Sequence, residues 1–117
     1  MSGTTKKRVY IAGPMTGIAN YNIKAFNDAE EQLAKEGYYV VNPARLFKTL
    51  AKAIASEADV LEHFHEYPRG KYAVAMIDME LALLRTCDAI KLLDGWKESQ
   101  GAQRELAEAI ENGLRVM

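Results

Sequence analysis

Two short runs of β-branched and aromatic residues, Arg8–Gly13 (RVYIAG) and Tyr38–Pro43 (YYVVNP), flank one amphipathic helical segment. That spacing leaves few folds open. Each run ends in a turn signal, Gly-Pro after the first and Asn-Pro within the second. Between them Ile23, Phe26, Ala29, Leu33 and Ala34 recur at helical spacing, with Asn20 or Asn22 available to cap the start and Gly37 to close the end. Strand, helix, strand in that order builds a parallel pair through a right-handed crossover.

The pattern then repeats. A helix is expected from about Tyr72 to Thr86, a strand over Asp88–Gly95 (DAIKLLDG), and a further crossover helix in GAQRELAEAIENG with Gly113 as its C-cap. The closing LRVM opens a fourth strand. These elements predict a doubly wound α/β fold, flavodoxin- or Rossmann-like, with about four parallel strands in the order 2-1-3-4 and helices on both faces. The 117 residues suffice for one domain with its own core, so 1–117 reads as a single unit. An irregular helical insertion is expected at about 46–70, where Leu50, Ile54 and Leu61 keep a helical period until Pro68 and Gly70 break it.

Bulk properties exclude several classes of partner. A net charge of −1 gives no basic surface for a nucleic acid polymer. No apolar run nears the roughly 18 residues of a membrane span, and the polar MSGTTKKR start lacks the apolar core of a secretion signal. The single cysteine, Cys87, forms no intramolecular disulfide and fits a reducing cytoplasm as a small buried hydrophobe. His63 and His65 are two apart with no third histidine, so no metal is expected, and no sequence feature calls for a cofactor.

In doubly wound sheets, ligands bind at the carboxyl ends of the strands where the strand order reverses. That directs attention to two loops. The first holds Gly13, Pro14, Met15, Thr16 and Gly17; the second opens with Asp94, Gly95 and Trp96 and runs to Gly101. The first is neither a P-loop nor a G-x-G-x-x-G turn. Trp96 reads either as a hydrophobic plug or as a stacking surface. Ser99 and Gly101 stand at the start of the last full helix, where free backbone N–H groups favour an anion, or simply as a cap. Ala102, Leu106, Ala109 and Ile110 form that helix's core stripe, flanked by Glu105 one turn in, while Glu108 points further out.

The helix before it carries only Asp78, Glu80 and Arg85 as charges between Tyr72 and Thr86. Its apolar residues form two stripes, Val74, Ile77, Leu81 and Leu84 on one side and Met76, Met79 and Leu83 on the other. A helix apolar nearly all round is buried in the fold or against a second copy, so a homo-oligomer is expected. Asp78 lies at the edge of the first stripe, where partial burial favours a raised pKa; pairing with Arg85 is the alternative.

VYIAGPMTG, the Asn-Pro after the second strand, Asp78 ten residues before Asp88, and LLDGW followed by S-x-G-x-x-x-E-L together resemble the nucleoside 2-deoxyribosyltransferase superfamily. The likeness is greatest to small bacterial and phage members. It implies cleavage of the bond between a nucleobase and its (deoxy)ribose. By the resemblance, Glu105 of G-x-x-x-E is the nucleophile, Asp78 the acid near the base, and Tyr10 the residue that orients the nucleophile. At Ser99 the transferases carry a sugar-binding aspartate, whereas hydrolases of nucleoside 5′-monophosphates carry a phosphate-contacting serine. Thr16 stands near the position of those hydrolases' arginine. The resemblance therefore implies hydrolysis of a (deoxy)nucleoside 5′-monophosphate, with base exchange or nucleotide binding without turnover as alternatives. The chemistry asks for one ionised acid at the sugar and one protonated acid at the leaving base. The expected division is Glu105 ionised by its helix N-terminus and Asp78 protonated beside its apolar stripe.

Overall fold

Four of the five residues of the strand Arg8–Ala12 are wholly buried: Val9, Tyr10, Ile11 and Ala12 each have 0% exposure. Such a run is stable only in the middle of a sheet covered on both faces. The computed structural model, which describes residues 6–15, 18–45 and 70–117, has it there. The elements are β1 (Arg8–Ala12), a 3-10 turn (Ala19–Asn22), α1 (Ile23–Lys35), β2 (Tyr39–Val41), α2 (Gly70–Leu84), β3 (Ala89–Leu92), a second 3-10 turn (Trp96–Glu98), α3 (Gln100–Glu111) and β4 (Arg115–Val116). The strands form one parallel sheet in the order β2-β1-β3-β4, as the sequence predicts. The expected insertion at about 46–70, apart from Gly70 at the start of α2, lies outside the described residues, as do Thr16, Gly17, His63 and His65. Among the described residues no helix is long and apolar enough to cross a membrane.

The pleat of β1 sorts its side chains into two cores. Val9 and Ile11 pack with Phe26 and Leu33 of α1, with Ala44, and with Met76 of α2. Tyr10 and Ala12 point the other way, to Ala102 and Ala109 of α3, Leu84, Cys87 and Ile90. Cys87 is free and buried between α2 and β3, the small-hydrophobe role expected of it.

The helix stripes differ in part from their sequence reading. Phe26 and Leu33 are buried in α1, but Ala34 is exposed. In α3, Ala102 and Ala109 are buried, while Ile110 is left out in solvent. The phase of α2 is set by Met76 and Leu84, which are fully buried, one from each predicted stripe. Ile77, Glu80 and Leu81 share their side of the helix. Val74 (60% exposed) and Met79 lie outward, and these are the residues on which the homo-oligomer expectation now bears.

Gly13 ends β1 against Leu93, which follows β3. A Cβ on Gly13 would sit 2.8 Å from the Cβ of Leu93, closer than real Cβ contacts come. The neighbouring turn needs a glycine for another reason: Gly95 has φ +89°, and a Cβ there would meet Pro14 at 3.1 Å. By contrast, a Cβ on Gly101 in the first turn of α3 would meet only the Ser99 Oγ, at an ordinary contact distance of 3.9 Å. Gly13→Ala is therefore expected to lower stability in urea unfolding by about 1–3 kcal/mol. Gly101→Ala should be neutral or stabilising by about 0.5–1 kcal/mol.

Candidate functional site

The site begins with the direction of one side chain. Tyr10 lies on the α3 side of β1, and its phenol O–H donates to Oε2 of Glu105, 95 residues later. Glu105 takes an inward position on α3 between Ala102 and Ala109, whose small side chains let the helix come close to the sheet. Ser99 caps this helix, its Oγ accepting from the N–H of Ala102 at 3.1 Å. So the capping role the sequence allows for Ser99 is realised, and it does not remove Ser99 from the site.

Around Glu105 is a cleft of about 570 Å³ at the carboxyl end of the sheet, between the loops following β1 and β3. Gly13, Pro14 and Met15 form one edge, Phe26 and Pro43 an apolar wall, and Ile77, Glu80 and Leu81 the side supplied by α2. Glu98, Ser99, Gln100, Gly101, Ala102, Arg104 and Glu105 complete it from the start of α3.

Two asparagines brace its walls. Asn22, at φ 62° beside Tyr21 at φ 54°, donates its amide to the carbonyl of Pro14 at 3.0 Å. Two consecutive non-glycine residues in the left-handed region cost energy, so the surrounding contacts hold this turn in place. Asn42 is buried. Its Oδ1 accepts from the N–H of Ala44 at 3.0 Å, and its Nδ2 donates to Asn27 and Glu30 of α1, which anchors Pro43.

Of the residues singled out from sequence, Gly13, Pro14, Met15, Ser99, Gly101 and Glu105 come together in the cleft, with Tyr10 buried behind Glu105. Thr16 and Gly17 lie outside the described residues. Asp78 needs correction: it is exposed and is not among the cleft residues. With Met76 and Leu84 fixing the phase of α2, position 78 falls about 100° round the helix from Ile77, and position 80 turns inward instead. Nor does Arg85 pair with Asp78, since its Nε donates to Glu108 at 2.6 Å. Asp94, Gly95 and Trp96 also stand outside the cleft lining. Trp96 is half-buried against the core around Tyr10, so it is the plug and not a platform; Gly95 makes the turn and Asp94 is exposed.

The acid that sequence reasoning passed over is Glu80, 6% exposed and part of the cleft. A carboxylate seldom occupies so buried a helical position, and the signal, an acid within a nearly apolar segment, was one that Glu80 shared with Asp78. The expected ionisation of Glu105 is corrected as well. Burial, then the neighbouring charge of Glu80, push its carboxyl up to about 8, against the opposing pull of the Tyr10 phenol and of Arg104. The helix N-terminus does not overcome desolvation. At neutral pH the two facing acids therefore retain a proton between them. Among the described residues, no group of three His, Cys, Asp or Glu is arranged to hold a metal ion.

Fold and site together define a parallel α/β protein with a paired-acid cleft at the switch point of its sheet. Residues 7–117 match the model of the DUF4406 family, a domain of unknown function, and the chain belongs to that family. Comparison with curated proteins gave no match.

The proton on Glu105 links stability to pH. The carboxyl titrates near 4.5 when unconstrained and near 8 in the fold, so its stabilising contribution is complete below about 4.5 and is lost as pH rises through 8. Glu105→Gln is expected to match the parent at pH 4 and to exceed it in thermal and urea unfolding at pH 9, by on the order of a few kcal/mol. Tyr10→Phe removes a group that favours the ionised form, so the Glu105 titration followed by carboxyl NMR should move further upward.

Proposed function

We propose that the protein hydrolyses the N-glycosidic bond of a (deoxy)nucleoside 5′-monophosphate, releasing free base through a covalent glycosyl ester on Glu105. The observation that carries this reading is the Tyr10–Glu105 hydrogen bond at a cleft that also holds a second acid, the buried Glu80. The phenol orients Glu105 and opposes the burial that keeps it protonated, so it favours the ionised form that attacks. Breaking the bond develops positive charge on the sugar, which Glu105 stabilises, and negative charge on the base, which needs a proton.

The cleft volume suits a ligand of nucleotide size. Its apolar wall of Met15, Phe26, Pro43, Ile77 and Leu81 suits a planar base, and the polar start of α3, with Ser99, Gly101 and Arg104, suits the phosphate. The resemblance to nucleoside 2-deoxyribosyltransferases, with Tyr10 beside Glu105, supports the same roles. The free, buried Cys87 fits a reducing cytoplasm.

Incubation with a panel of ribo- and deoxyribonucleoside monophosphates should release free base, detected by chromatography, and Glu105→Ala should abolish it while still binding nucleotide. Absence of base from every member of the panel rejects hydrolysis. Saturable binding without product then marks a nucleotide-binding module, and label exchange into an added free base marks a transferase.

A further inference from the structure

An uncharged base that leaves its sugar gathers negative charge and needs a proton. Asp78, the acid expected to supply one, is exposed and outside the cleft. Of the acids that do line it, Glu105 attacks and Glu98 is exposed. Glu80, 6% exposed, acts there as a negative charge that helps to hold the Glu105 carboxyl high. The cleft is better furnished with negative charge than with protons.

Its charges are also divided. Among the described residues the one cation of the lining, Arg104, stands on α3 with Ser99 and Gly101, whereas Glu80 stands on α2 beside Ile77 and Leu81. Glu98 before α3, and Tyr10 of β1 behind Glu105, complete the charged and titratable groups around the cavity. A ligand negative at one end and positive at the other matches this division. Burial makes the positive end count, because a carboxylate withdrawn from water is stabilised by an opposite charge brought against it.

We propose that the cleft selects nucleoside 5′-monophosphates whose base carries a fixed positive charge, a pyridinium or N-alkylated purinium ring, and that Glu80 is the specificity-determining residue that receives this ring. This deepens the N-glycosidase reading above and rests on it.

The phosphate lies at the start of α3 by Arg104, the sugar at Glu105, and the ring against Ile77, Leu81 and Glu80. As the cation enters, the proton that the facing acids retain leaves to solvent. A Glu105 oxygen bonds to the anomeric carbon while the carbon–nitrogen bond breaks. That bond's electron pair neutralises the ring nitrogen, so the base departs without taking up a proton. Water then attacks the same carbon, its proton goes to the facing acids, and the ester's carbon–oxygen electron pair returns to Glu105. Each turnover yields neutral base, sugar phosphate and one proton.

Two nucleotides test this on the full chain: nicotinamide mononucleotide, whose ring is a fixed cation, and uridine 5′-monophosphate, whose base is uncharged. The parent is expected to cleave the first with kcat/KM at least about 10²-fold above the second, the share a general acid would otherwise supply. Pyridinium glycosides are labile in themselves, so the deciding comparison is with Glu80→Gln. Its kcat/KM on nicotinamide mononucleotide should fall by about tenfold or more, chiefly through KM, and stay within about threefold of the parent on uridine 5′-monophosphate. A binding measurement needs no change at Glu80. Glu105→Gln, which forms no ester, should bind nicotinamide mononucleotide about tenfold or more tighter than its dihydro form, the same ligand without the ring charge, in isothermal titration. The selection of cations is overturned if the dihydro form binds as well, if Glu80→Gln cleaves nicotinamide mononucleotide as the parent does, if it loses both substrates alike, or if the parent prefers uridine 5′-monophosphate. Each of these results leaves the N-glycosidase reading standing. Should Glu80→Gln fail to fold by circular dichroism, the binding comparison decides alone. A parent that cleaves neither nucleotide overturns the N-glycosidase reading itself, and this selection with it.

Discussion

The hydrogen bond from Tyr10 to Glu105 is the constraint around which the molecule is arranged. It exists only if three independent conditions hold. The pleat of β1 has to aim position 10 at the α3 face, α3 has to lie close to the sheet, and position 105 has to turn inward. The first follows from the strand period of two, with Val9 and Ile11 claimed by the opposite core. The second follows from alanine at 102 and 109. The third follows from helical spacing, since 105 lies three residues after one of those alanines and four before the other. A carboxylate set beside an apolar stripe is thus the inward-facing member of that stripe, not a dipole-favoured acid at its margin.

The energetics explain why such a pair is unusual. Two carboxyl groups withdrawn from water repel one another and resist ionisation, and neither adds what a leucine of similar size would add to the core. Glu80, which is buried, and Glu105, half-buried beside the core stripe of α3, both stand where an apolar residue would pack better. Residues that break local rules without improving packing are those most readily explained by a task other than folding. Ser99 stands apart, because its cap hydrogen bond alone accounts for its presence at the start of α3.

Much of this was legible beforehand, for reasons that differ by element. The parallel sheet and its order followed from the alternation of short β-branched runs with amphipathic helices, and from turn residues that stop each strand. Glu105, Ser99 and the Gly13–Met15 loop followed from their position at strand ends and a helix start. The assignment of Asp78 failed for an equally definite reason. A segment apolar almost all round has a period but no readable phase, and here the phase was decided by Met76 and Leu84 entering different cores. Trp96 misled because a loop at the right end of a sheet was read as facing the ligand, whereas the Gly95 turn sends the indole back against the core. The partnership of Tyr10 with Glu105 spans 95 residues and was carried only by family resemblance.

The abutment of Gly13 on Leu93 has a consequence for how such proteins diverge. With no room for even a methyl group, the loops after β1 and β3 are locked into a common frame, and neither is at liberty to change shape alone. Novelty in what the cleft admits must therefore arise elsewhere, in Phe26, Pro43 and Ile77, which belong to three separate stretches of chain and line the opening without touching that frame's spacing. Descendants of such an ancestor could trade one guest molecule for another by single exchanges at those positions, while the reacting centre passed between generations untouched.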